Sequence, residues 1–171
     1  MRIKNNVALL GVLSALALAL SFAESFLAPA LPMGVKPGLS NIAVMLAASV
    51  LGLPAGLAVA LMKAVFAGVA RGLTAMLLSG AGGLLSALVM GILLQGGRDR
   101  AKRGAAPRAL TETGAGILGG VIHNAAQLLL AMALTRTPGI VWSAPLLIVF
   151  GVVAGATTGT LAKLTRNYIL R

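Results

Sequence analysis

A small set of side chains in this sequence could do chemistry, because they are polar or ionisable and lie in or beside long apolar runs. They are Glu24, Lys36, Asn41, Lys63, Arg71, Ser79, His123, Asn124 and Gln127. Ionisable groups inside a bilayer are costly, and their default reading is a pathway or a binding site. Glu24 is one of only three acidic residues in the chain. It opens the stretch 24–41, in which Pro29, Pro32, Pro37, Gly34 and Gly38 interrupt any helix, with Lys36 and Asn41 near its far end. That pattern predicts a re-entrant or cap-like loop between two membrane helices, with polar groups at both ends that can face a ligand. An ordinary interfacial loop with anchoring charges is the alternative. In GGVIHNAAQ, His123 and Gln127 are four residues apart and share one helical face, with Asn124 in the same turn.

Three basic residues (Lys36, Lys63, Arg71) against the single Glu24 suit an anionic or strongly hydrogen-bonding ligand. The groups are expected to converge on a cavity between helices, where membrane transporters bind solutes. The competing reading pairs Glu24 with Lys36 or Lys63 and makes His123, Asn124 and Gln127 an interhelical hydrogen-bond network. No metal site is expected, since one histidine without thiols or nearby carboxylates is a poor ligand set, and the chain has no cysteine. No cofactor is expected either. Diphosphate chemistry of the usual prenyl-transfer kind needs clustered aspartates to hold Mg²⁺. Here the single aspartate is Asp99, and there is no G-x-x-x-x-G-K-[ST] loop to cradle a nucleotide. The chain is therefore expected not to be such a catalyst by itself, nor an ATPase.

The elements that must position these groups are membrane helices. The sequence is 58% hydrophobic and 10% charged, with mean hydropathy +0.99, whereas soluble domains are about 25% charged. Apolar runs long enough to span recur throughout, without the alternation of a barrel. The fold class expected is all-α: a polytopic membrane protein, one integral domain over 1–171, built as a six-transmembrane-helix bundle. Helices are predicted over about 7–27, 38–51, 55–70, 74–95, 110–134 and 144–164, with a basic loop over about 96–109. The second is short for a full span. The N-terminal run resembles a signal peptide but is read as a retained first helix. Arg2, Lys4, Arg98, Arg100, Lys102, Arg103, Arg108, Lys163, Arg166 and Arg171 fall on one side of such a bundle, against Lys36, Arg71 and Arg136 on the other. The positive-inside rule then puts both termini and the basic loop in the cytoplasm of a bacterial inner-membrane protein. The net charge of +11 reflects this distribution and not nucleic-acid binding.

Small residues recur at four-residue spacing in three helices: Gly11, Ala15, Ala19 and Ala23; Ser79, Gly83, Ala87 and Gly91; Gly151, Gly155 and Gly159. Such rows let helices pack closely in lipid. The last two rows are expected to pack internally, while the first, on an N-terminal helix, is open to a partner subunit.

The combination E-x4-P…G-x-K-P-G-L-S-N-I, a central lysine in the third helix, and G-x-x-H-N-x-x-Q resembles the Gx transporter family, also described as heptaprenyl diphosphate synthase component I. The resemblance rests on Glu24, Pro29, Gly34, Lys36, Gly38, Leu39, Asn41, Ile42, His123, Asn124 and Gln127. In size and layout such proteins are similar to the substrate-binding S components of energy-coupling factor (ECF) transporters. That similarity implies that Ala15, Ala19 and Ala23 dock a transmembrane coupling subunit working with ATPases, and that 24–41 gates the ligand. The family's other description implies instead a soluble prenyl synthase partner.

Overall fold

The computed structural model describes residues 3–27, 38–102 and 111–169. They form six α-helices: α1 (Ile3–Leu27), α2 (Ser40–Val50), α3 (Leu53–Arg71), α4 (Leu73–Lys102), α5 (Glu112–Thr135) and α6 (Ala144–Ile169), with a 3₁₀ segment, Pro138–Ser143, leading into α6. Five helices are long and apolar enough to cross a bilayer; α2, with 11 residues, is the exception. At 1.5 Å per residue it reaches about 16 Å, roughly half the hydrocarbon thickness. The chain is thus an all-α membrane protein with five candidate spans and one short internal helix.

The short helix is the centre of the bundle. All its residues except Ile42 and Val50 are buried, and it packs against α1, α3, α4 and α6. Its small side chains allow this: a Cβ on Gly56 of α3 would lie 2.7 Å from Ala48 Cβ, so only glycine permits the two helices to approach this closely. The reversal between them is equally tight. Gly52 adopts φ 109°, a conformation open chiefly to glycine, and its N–H donates to the Ala47 carbonyl at 3.1 Å. Pro54 then sits in the first turn of α3, where its missing N–H costs nothing. A second one-residue turn at Gly72 joins α3 to α4.

Helices α5 and α6 meet backbone to backbone. A Cβ on Gly116 would lie 2.8 Å from Gly159 Cα, and one on Gly155 would lie 2.7 Å from Ile117 Cα. Gly120 and Gly151 oppose each other in the same seam. At the end of this pair Arg166 Nη1 meets Glu112 Oε1 at 2.7 Å, and Thr111 Oγ1 caps α5 by accepting from the Gly114 N–H. Helix α1 packs on α2 and α3, with Gly11, Ala15, Ala19 and Ala23 on its exposed face. Nothing lies within 4 Å of a Cβ built on Gly11.

Several boundaries differ from those expected. Helix α1 starts at Ile3 and α6 continues to Ile169. Helix α4 continues to Lys102, well into the segment read as a basic loop. The residues beyond Gly97 there are Arg, Asp, Arg, Ala and Lys, mostly good helix formers, and helical hydrogen bonding need not stop where the apolar pattern does. Residues 103–110 lie outside the described ones.

Candidate functional site

Because α2 and α3 are antiparallel across the Gly52 turn, the start of α2 lies beside the middle of α3. The start of α2 therefore ends inside the bundle, while α3 runs on from Lys63 to Arg71, about 12 Å further at the helical rise. A helix start leaves backbone N–H groups without intrahelical partners. Here α1 supplies an acceptor. Glu24 Oε1 accepts from the Ser40 N–H at 3.2 Å, and Oε2 accepts from Ser40 Oγ at 2.9 Å. The carboxyl group is 2% exposed and sits at the start of α2, where free N–H groups call for an acceptor.

The Ser40 hydroxyl joins this cap to the buried lysine. Lys63 Nζ donates to Ser40 Oγ at 3.3 Å and also to Asn41 Oδ1. Glu24, Ser40, Asn41 and Lys63 thus form one hydrogen-bonded cluster from α1, α2 and α3. Gly38, just before α2, has φ 76°, and a Cβ there would be 3.4 Å from Ala154 Cβ. Its carbonyl accepts from Thr158 Oγ1 of α6 at 3.4 Å, so the start of α2 is fixed to the far side of the bundle too.

Above this cluster is a cavity of about 310 Å³, within the size range of small-molecule sites. Its lining includes Glu24, Asn41, Lys63 and Arg71, and also Ser79, His123, Asn124 and Gln127. Of the polar residues singled out in the sequence, all that fall among the described residues line this one space; Lys36 lies outside them. Arg71 stands at the exposed rim and Lys63 is buried. Leu78, Leu128, Ile140 and Leu147 supply apolar wall. Among the described residues no group of three His, Asp or Glu side chains could hold a metal ion.

The two amides on α5 also tie helices together. Asn124 Nδ2 donates to the Leu147 carbonyl of α6 at 2.8 Å, and Gln127 Nε2 donates to the Leu78 carbonyl of α4 at 3.3 Å. The ligand-facing and network readings of this turn therefore describe one set of side chains. The sequence reading omitted Ser40, Ser21 and Ser143 as lining residues. Ser21 had a signal, lying three residues before Glu24 on the same helical face. Ser40 had one too, beside Asn41 at a helix start, where serine favours hydrogen bonding to backbone or neighbours.

The family model for heptaprenyl diphosphate synthase component I matches residues 13–165. The chain belongs to this family. No curated protein and no solved structure matches it. The matched span takes in most of α1 and the whole of α2 to α5, and so every described residue of the polar cluster. The family's description names a component of a synthase; the cavity of this member is lined by the groups described above.

Proposed function

We propose that this chain is the solute-binding membrane subunit of a larger transporter, taking up a small anionic or amphipathic solute. The observation that carries the reading is the cavity that gathers Lys63, Arg71, Asn41, Ser79 and the His123–Gln127 turn around the capped start of α2. A half-helix ending inside the bundle with its N–H end towards a solute is a recurring device of transporters. The cavity lies at the end of the bundle away from most of the basic residues, which by the positive-inside rule is the outer side of a bacterial inner membrane, with both termini cytoplasmic. The ECF-like arrangement adds a transmembrane coupling subunit with ATPases as partners. The exposed face carrying Gly11, Ala15, Ala19 and Ala23 is available for that contact. This part is an analogy of architecture.

A second reading is supported by the family's description: a non-catalytic membrane subunit of polyprenyl diphosphate synthesis that holds an anionic, lipid-like compound for a soluble synthase. A basic cavity suits a diphosphate as well. Pull-down from native membranes in mild detergent, with partners identified by mass spectrometry, separates the two. Recovery of a membrane coupling subunit with ATPases, lost on Ala19→Leu, is the expected result; recovery of a soluble, aspartate-rich prenyl synthase supports the second reading. Native mass spectrometry tests the site common to both. A solute carried by the wild type and absent from a folded Lys63→Met variant is expected. Undiminished solute in that variant refutes the site.

A further inference from the structure

The lining of the cavity offers donors at Asn41, Ser21, Ser79 and Arg71, beside the neutral amide oxygens of Asn124 and Gln127, whose NH2 groups are already used. Asn41 is 7% exposed, and its Oδ1 faces Lys63. An ammonium only donates, so the amide orientation is fixed and Nδ2 is the atom turned away from Lys63. Among the described residues Nδ2 finds no acceptor, although Asn41 lines the cavity. Ser79 (6% exposed) and Ser21 (4% exposed) line it as well, and neither hydroxyl has a hydrogen-bond partner among the described residues. Arg71 adds guanidinium donors at the rim, likewise with no acceptor among the described residues. The one carboxylate in the lining, Glu24, already accepts at both oxygens from Ser40, so the acceptors left to a ligand are uncharged. These donors face the cavity, where a ligand can take the place of water as their acceptor.

We propose that the cavity takes a compact, oxygen-rich anion, a polycarboxylate or a phosphate-type oxyanion, held by Asn41 Nδ2 and the Ser79 hydroxyl on the inside and by Arg71 at the rim. This rests on the solute-binding reading above and narrows its ligand class. At about 310 Å³ the cavity is of small-molecule size, which suits a compact anionic group.

The test uses the full chain in lipid nanodiscs, with binding followed by titration calorimetry. The probes are citrate, inorganic diphosphate, farnesyl diphosphate, glucose and choline. Saturable binding of citrate or inorganic diphosphate is expected; which of the two binds tells a carboxylate source from a phosphate one. Asn41→Asp is the deciding variant. It keeps the acceptor that Lys63 uses but turns the Nδ2 donor into a second acceptor. Anion affinity should fall about a hundredfold, and about tenfold for Ser79→Ala, as expected for losing hydrogen bonds to a charged group. No binding of either anion overturns the proposal, as does unchanged affinity in folded Asn41→Asp. Farnesyl diphosphate binding more than tenfold tighter than diphosphate, with the same Asn41 dependence, also overturns it. If glucose or choline binds instead, the oxyanion class fails while the solute-binding reading stands. A Lys63-dependent solute seen by native mass spectrometry in a protein that binds neither anion has the same meaning.

Discussion

Replacing Glu24 by alanine tests whether the buried carboxylate is first a helix cap. Its two oxygens accept from the Ser40 N–H and hydroxyl, and hydrogen bonds to a charged group contribute about 1.5–3 kcal/mol each. The alanine variant also leaves the Ser40 N–H without its acceptor at a buried helix start. Against this, helix-cap replacements by alanine cost about 0.5–2 kcal/mol, and partners in a membrane protein partly compensate one another. Weighing these, Glu24→Ala should destabilise the protein by about 3 kcal/mol. The assay is equilibrium unfolding in mixed micelles, with Ser40→Ala and the double variant completing a cycle. Because the two residues touch, the cycle should return a coupling above about 1 kcal/mol. A loss below about 0.5 kcal/mol, or additive effects of the two changes, refutes the cap. The carboxylate would then have to be explained by the ligand alone.

The α5–α6 seam gives a second prediction. Gly155→Leu, whose side chain would meet the α5 backbone at Gly116 and Ile117, should cost at least the 1–3 kcal/mol typical of overpacking, whereas Gly11→Leu, with open space around it, should be close to neutral in the same assay. Asn124→Leu, which removes the bond to the Leu147 carbonyl, should cost about 0.6–1.7 kcal/mol, the range measured for interhelical bonds in membranes, and should weaken solute retention as α6 loosens. Glu112→Gln weakens the partly buried pair with Arg166; a loss of at most about 1 kcal/mol, shrinking with added salt, is expected from its partial solvation.

The long helices were legible because a spanning helix needs little beyond a sufficient apolar run, which α3 and α4 display openly. Polar groups of the site stood out for the opposite reason: Lys63 and the His123–Gln127 turn interrupt runs that lipid would not let them interrupt freely. What the sequence hid was pairing. Glu24 suggested a cationic partner, and its partner among the described residues is Ser40, a residue whose type is common and whose position beside Glu24 exists only once α1 and α2 are packed. The glycines of α6 announced a close contact but not with which helix, because Gly116 and Gly120 are staggered among other small residues on α5. The end of α4 was hidden as well, since apolar patterning reports the bilayer and not the helix.

The central position of α2 bears on how the chain is made. A segment of 11 residues carrying Ser40, Asn41 and Ser49 is too short and too polar to be held by lipid as an independent span. It cannot enter the bilayer and wait for its neighbours, as two-stage assembly of membrane helices supposes. Its partners Lys63, Ala154 and Thr158 are synthesised after it, the last two near the end of the chain. Until α6 has been delivered, the middle of this protein has no stable place in the membrane, so truncation before α6 should yield a product that the cell degrades rather than a smaller bundle.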